Sequence, residues 1–142
     1  MAVFEFVALT CIRPSEIDGD EVYIEYNGVK VFPGADRNFR SFKKGSMVLN
    51  TDARLDRAAL QSMAGDDTTP LNEIVGGEAL ARHDIPGAGL VVRVMEYDSF
   101  SADDVLGSVL VPFRLDEGLQ TRRLEGDGSH YILSYLIQAG PA

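Results

Sequence analysis

The stretch Leu90-Val91-Val92-Arg93-Val94-Met95-Glu96-Tyr97-Asp98-Ser99-Phe100-Ser101-Ala102-Asp103-Asp104-Val105-Leu106-Gly107-Ser108-Val109-Leu110-Val111-Pro112-Phe113 sets an acidic loop between two short apolar runs. Both runs have strand length and a high content of β-branched residues, which predicts strands over Leu90–Tyr97 and Leu106–Phe113. Working outward, similar short apolar segments occur at Val3–Leu9, Val22–Tyr26, Val29–Phe32, Phe39–Phe42, Met47–Leu49 and Tyr131–Ile137. Turn residues separate them. Asn27-Gly28 marks a tight hairpin, because both residues tolerate positive φ, and Asp127-Gly128 punctuates the approach to the last strand in the same way. The expected fold is all-β, an eight-stranded antiparallel β-sandwich.

The middle of the chain breaks this pattern. Asn50-Thr51-Asp52 offers N-cap side chains, Leu55, Ala59 and Met63 recur at four-residue spacing, and Gly65 supplies a stop. This predicts a short amphipathic helix, with another around Glu78–Arg82. Residues 50–89 therefore form a partly helical excursion between strands. The whole chain of 142 residues (1–142) is expected to be a single domain, since one core of that size buries most of its apolar surface.

Hydrophobic residues make up 45% of the chain, an ordinary share for a soluble globular protein. The formal net charge of −9 opposes unaided binding to nucleic acid or to an anionic membrane. Cys11 is the single cysteine, so no intrachain disulfide forms, and a buried thiol is the expected role. No segment has the length and apolarity of a transmembrane helix. The apolar start from Val3 to Ile12 lacks a basic leader and contains Glu5, so it reads as a strand rather than a signal peptide. A cytoplasmic location is the default expectation, with export lacking a cleaved leader as the other route.

Two loops concentrate acid. Glu16-Ile17-Asp18-Gly19-Asp20-Glu21 carries four carboxylates in six residues, and Glu96 to Asp104 carries four in nine with no basic residue among them. If the loops adjoin, like charges raise one another's pKa values or require a cation. Calcium suits such a place, because it takes six to eight oxygen ligands in flexible geometry. Glu96 and Asp98 share strand parity, so both can point to one side of the sheet edge.

Val94 to Gly107 resembles the third calcium loop of the C2 domain family, in which an apolar strand leads into Asp-x-Asp, an aromatic, a Ser or Gly, an Asp, two apolar residues and Gly. The resemblance implies carboxylate ligands at Glu96, Asp98 and Asp104, with Ser101 as an additional oxygen ligand. Glu21-Val22-Tyr23-Ile24-Glu25-Tyr26 is similar to the family's Asp-Pro-Tyr-Val-Lys-Val strand entry. That similarity places Glu21 at a ligand position, and Asp18, or in its stead Glu16, would supply the upstream carboxylate. Gly118 through Leu124 to Tyr131-Ile132-Leu133 is similar to the closing segment. Glutamate replaces aspartate at 21 and 96, Val22 stands where proline is usual, and the chain has no tryptophan.

The other features carry bland readings. Arg37, Arg40, Lys43 and Lys44 form the densest basic segment and read as a solvated strand face and turn, although some C2 domains hold phosphoinositides on a cationic patch of their middle strands. Phe100, at the loop tip, reads as a cap on the core; its other reading is a lipid or partner contact. His83 and His130 lack metal-ligand spacing, and no nucleophile elbow or phosphate loop is present. An enzyme is not expected. The leading function is a non-catalytic calcium-binding C2-like module that docks on an anionic lipid surface or a protein partner through its two acidic loops. The alternative is a structural or adaptor subunit of a protein assembly with no functional calcium site, its excursion giving the contact, homo-oligomeric or otherwise.

Overall fold

The computed structural model describes residues 2–50, 69–74, 79–114 and 118–140. Its first strand explains most of the architecture. β1 (Ala2–Arg13) is buried along nearly its whole length, because it lies inside the larger sheet with neighbours on both edges. Strict alternation would send Phe4, Phe6, Ala8 and Thr10 to one face. A bulge between Phe6 and Ala8 instead shifts the parity, so that Phe4, Phe6, Leu9 and Cys11 all enter the main core. Val7 and Ala8 join Met47 and Leu49 in a second cluster, against which Leu119 and Leu136 pack.

Ten further strands follow: β2 (Asp20–Tyr26), β3 (Val29–Phe32), β4 (Arg40–Phe42), β5 (Ser46–Asn50), β6 (Thr69–Ile74), β7 (Arg82–Asp84), β8 (Leu90–Glu96), β9 (Asp104–Val111), β10 (Leu119–Gly126) and β11 (Ser129–Ala139). The larger sheet runs β10-β11-β1-β5-β6, with β7 also paired to β1; the smaller runs β3-β2-β8-β9, with β4 beside the start of β2. Between them lies the core. Val22, Ile24 and Tyr26 of β2 and Leu90, Val92 and Val94 of β8 meet Tyr131, Leu133, Tyr135 and Ile137 of β11. Phe4 and Tyr26 pack edge to face across the gap, with ring centroids 5.3 Å apart. Gly107 of β9 has no space for a Cβ, which would collide with Leu124 of β10, so the two sheets approach closely at that margin.

Two layers of strands agree with the expected all-β sandwich, but its details are corrected. There are eleven strands among the described residues rather than eight. β10 escapes the hydrophobic pattern because it is an edge strand with Arg122 and Arg123 at its centre. β6 pairs parallel to β5, so the larger sheet is mixed rather than antiparallel throughout. The helix expected after Asn50 lies outside the described residues, but Asn50 itself is not a free N-cap. It ends β5, and its side-chain amide donates to the Phe6 carbonyl at 2.8 Å. The second expected helix, around Glu78–Arg82, is replaced over 79–81 by a turn that feeds β7 at Arg82. This part of the excursion belongs to the core. Leu80 and Ala81 are fully buried, Tyr26 Oη donates to the Leu80 carbonyl at 2.6 Å, and the Phe6 N–H donates to the Ala81 carbonyl at 2.9 Å.

Candidate functional site

The strand registers bring three connections to one end of the sandwich. β2 begins where β8 ends, Val22 facing Glu96, and β9 begins there too, Asp104 facing Glu96. The end of β1 and the start of β11 meet there as well, Cys11 facing Tyr131 and Arg13 facing His130. The loop 14–19, the loop 97–103 and the Asp127-Gly128 turn therefore share this end. Asn27 and Asp127 both adopt positive φ ahead of a glycine that does the same, as expected of tight hairpins.

Strand parity sorts the acids. Along β2, Asp20 lies on the core side with Val22 and Ile24, whereas Glu21 points away and is exposed. Asp20 is 1% exposed and accepts hydrogen bonds from Ser15 N (2.9 Å), Ser15 Oγ (2.5 Å), Glu16 N (3.3 Å) and Tyr131 Oη (2.6 Å). Burial opposes its charge, but the bonds from Ser15 and Tyr131 outweigh it and hold the carboxyl below its usual value. Glu96 is also buried, 3.3 Å from Ser15 Oγ. Burial first, then the neighbouring Asp20, pushes its pKa up to about 8. Near neutral pH Glu96 thus keeps a proton beside an ionised Asp20.

In front of Glu96, one carboxylate oxygen each of Glu96, Asp104 and Asp127 lie within 4.8 Å of one another. Asp104 and Asp127 are exposed. Oxygens held around one calcium ion at 2.3–2.6 Å stand up to roughly 5 Å apart, so this donor set fits a hard cation.

The remaining sequence candidates are placed differently. Asp98 lies beyond the end of β8 and is spent on its own loop. Its Oδ1 accepts the N–H groups of Phe100 (2.8 Å) and Ser101 (3.2 Å), and its Oδ2 accepts Ser101 Oγ (2.6 Å). The Ser101 hydroxyl and the Phe100 amide lower its pKa. Asp98 and Ser101 are thus brought to each other rather than to the Glu96 group. Glu21 contributes its carbonyl, which accepts the Tyr97 N–H at 2.8 Å, and its side chain sits on the opposite face of the sheet from Glu96. Asp18 is exposed in the first loop and is not among the three acids whose oxygens converge. Phe100 does not cap the core; it is 99% exposed, and so is Ile17 at the tip of the first loop, which the sequence reading passed over.

Three acids escaped that reading. Asp127 looks like a turn former, and only its position in the β10–β11 hairpin brings it to Glu96 and Asp104. Asp20 was readable from parity, because it shares its side of β2 with the buried Val22, Ile24 and Tyr26, while Glu21 and Glu25 lie on the other side. Asp103 ties the loop down: it accepts the Asp98 N–H at 2.8 Å and the Tyr23 hydroxyl.

No family model matches the chain, and no curated protein matches it. Among solved structures, the chain is similar to one described as "Structure of a C2 domain", at 12% identity, with 98% of this chain and 99% of that chain covered and a TM-score of 0.46.

Proposed function

We propose that this chain is a non-catalytic, single-domain C2-like module that binds calcium at the loop end of its sandwich and docks there on an anionic lipid surface. The observation that carries this reading is the convergence of Glu96, Asp104 and Asp127 oxygens within 4.8 Å, flanked by two loops whose tips expose Ile17 and Phe100. Glu96 and Asp104 are also the positions at which the C2 resemblance of the sequence implies ligands. Asp127 takes the place that Glu21 and Asp18 were expected to fill. Asp98, whose oxygens already accept from Phe100 and Ser101, stands outside the group.

Calcium would neutralise the acidic end of a chain of charge −9 and bridge it to phosphate oxygens, while the two apolar tips enter the lipid. Calorimetric titration tests the metal. Saturable heat that vanishes in the Asp104→Asn/Asp127→Asn variant is expected; no heat and no thermal shift up to several millimolar calcium would sink the reading. Vesicle sedimentation tests the docking, with binding to anionic vesicles in calcium and none in chelator. Calcium-dependent binding to a protein but not to vesicles would replace lipid by a protein partner.

One observation favours the adaptor reading. Burial and Asp20 push the Glu96 pKa up to about 8, and Asp98 is already satisfied by its own loop, so these two acids are compensated without an ion. Failure of the calcium titration would select it.

A further inference from the structure

We propose that the free edge of β9 docks a second copy of this chain, the two β9 strands pairing antiparallel about Val109. β9 ends the smaller sheet, so β8 pairs with one of its edges and no described strand pairs with the other. An open edge is a template for further pairing unless charge, proline or a cover blunts it. Two other edge strands carry charge, Lys30 in β3 and Arg122, Arg123 and Glu125 in β10. From Val105 to Phe113, by contrast, the chain has no charged residue, and Val105, Leu110 and Phe113 are exposed.

The ladder shows which peptide groups the edge offers. Val91 of β8 faces β2: its N–H donates to Asn27 Oδ1 at 2.7 Å, and its carbonyl accepts the Asn27 N–H at 2.9 Å. Leu110, which stands opposite Val91, therefore turns its own N–H and C=O away from β8, and so does Ser108, two residues before it. These groups point out from the open edge. The open stretch is bounded at both ends. Pro112, next in the same parity, has no N–H, and its carbonyl already accepts the Arg114 N–H at 3.0 Å. At the other end β10 closes on the edge, since a Cβ on Gly126 would lie 3.0 Å from the Val105 carbonyl oxygen and 2.8 Å from that of Leu106.

A second copy fits because this edge complements itself. With Val109 opposite Val109 on a two-fold axis, Ser108 of each copy meets Leu110 of the other, and each pair exchanges both of its N–H···O=C bonds. The same register sets Val105 toward Phe113 and Asp104 toward Arg114 at either end, so apolar meets apolar and acid meets base. Pairing shifted by two residues either way takes Arg114 from opposite Asp104. The second copy also turns away at Pro112–Arg114, just where β10 closes the edge of the first. A longer extended strand would run into β10.

The contact buries few side chains and each copy carries −9, so the association is weak and strengthens as salt screens the repulsion. Sedimentation equilibrium of the full chain in chelator tests it. A monomer–dimer equilibrium with Kd on the order of 0.1 mM is expected, tighter at high salt than at low. Leu110→Lys should weaken it about tenfold or more although it lowers the net charge, and Ser108→Glu should do the same. Both side chains are exposed, and unchanged circular dichroism shows that the variants keep their fold. Mixed together, the two variants should associate like the parent, because the register sets the new lysine of one copy against the new glutamate of the other. Val29→Lys, on the edge strand β3, should change nothing. A parent that stays monomeric up to about 1 mM overturns the proposal and leaves the edge to an extended segment of a different protein. A Leu110→Lys variant that associates like the parent, or a mixture that stays monomeric, overturns it as well. Because chelator is present throughout, the outcome is independent of the calcium reading.

Discussion

The two acidic loops are alike in charge and opposite in use. In the first, the one acid that enters the structure is Asp20, buried on β2 and bonded to Ser15 and Tyr131, while Glu16, Asp18 and Glu21 remain at the surface. In the second, Glu96 at the end of β8 is buried with its pKa pushed up to about 8, Asp104 opens β9 beside it, and Asp98 and Asp103 are consumed in shaping the loop. An acid on a strand end is placed by the register of the sheet and can face another acid. An acid within a loop is first recruited to the loop's own amides, because an Asx-type turn satisfies backbone donors at no extra chain length. Strand ends place Glu96 and Asp104, and the β10–β11 turn places Asp127, so the assembly of the two sheets rather than loop density decides where carboxylates converge.

The sharpest way to break this comparison is to remove one acid of each kind. Asp20→Ala strips four hydrogen bonds from Ser15, Glu16 and Tyr131 and leaves buried donors without acceptors. It should cost on the order of 3–4 kcal/mol in urea unfolding. Asp98→Ala, in a loop turn at the surface, should cost far less than Asp20→Ala by the same measurement. Equal losses would mean that the loop is as structural as the strand end.

Calcium gives the next largest effect. Bound to the native state only, it should add about 2.7 kcal/mol at a hundredfold excess over Kd. Asp104→Asn/Asp127→Asn should abolish the rise in melting temperature, whereas Asp18→Asn/Glu21→Gln should leave it intact. A loss on the second pair would return the site to the loops.

The pH dependence follows, measured in chelator. Glu96 has a folded pKa of about 8 against an ordinary 4.5. Between those values the unfolded state has released this proton and the folded state has not, so raising the pH favours unfolding. Stability should fall across pH 4.5–8 and level off above it, by something on the order of 2 kcal/mol since Asp20 shares the interaction. Asp20, held below the usual carboxylate value, acts in its own window: its contribution is lost only as pH drops below about 3.8. Glu96→Gln should flatten the upper slope alone. A slope that survives the substitution would assign the titration elsewhere.

The sandwich was legible where strands are apolar and bounded by turn chemistry: β2, β3, β8 and the Asn27-Gly28 hairpin are found close to where the sequence puts them. It was not legible at β10, whose edge position lets Arg122 and Arg123 stand where a central strand would carry apolar residues. Nor was the bulge in β1, which resets the parity of Leu9 and Cys11 with no glycine to announce it. Glu96 and Asp104 could be picked out because Val94 to Gly107 resembles a C2 calcium loop, which implies ligands at both positions. Asp127 could not, because its neighbours in space, β8 and β9, come from a distant stretch of the chain and meet it only once both sheets are assembled.

The smallest effect on stability distinguishes the tips of the two loops from their bases. Ile17 and Phe100 are fully exposed, so Ile17→Ser and Phe100→Ser remove no buried surface and should change unfolding free energy by no more than about 0.5 kcal/mol. An exposed Phe or Ile is tolerated singly on many surfaces, and neither residue alone requires a ligand. Two of them on loops that emerge from neighbouring strands of one sheet end, beside a cation-sized gap between carboxylates, have a shared use if both enter the same surface. Burying a side chain of this size contributes about 1.5–3 kcal/mol, so loss of both should reduce calcium-dependent partitioning onto anionic vesicles by well over tenfold. Calcium affinity in the absence of vesicles should be unchanged, because neither side chain offers an oxygen. Each single variant should lose part of the partitioning. Retention of full vesicle binding by the double variant, with calcium binding intact, would show that the module docks through charge alone and that its apolar tips meet something other than lipid.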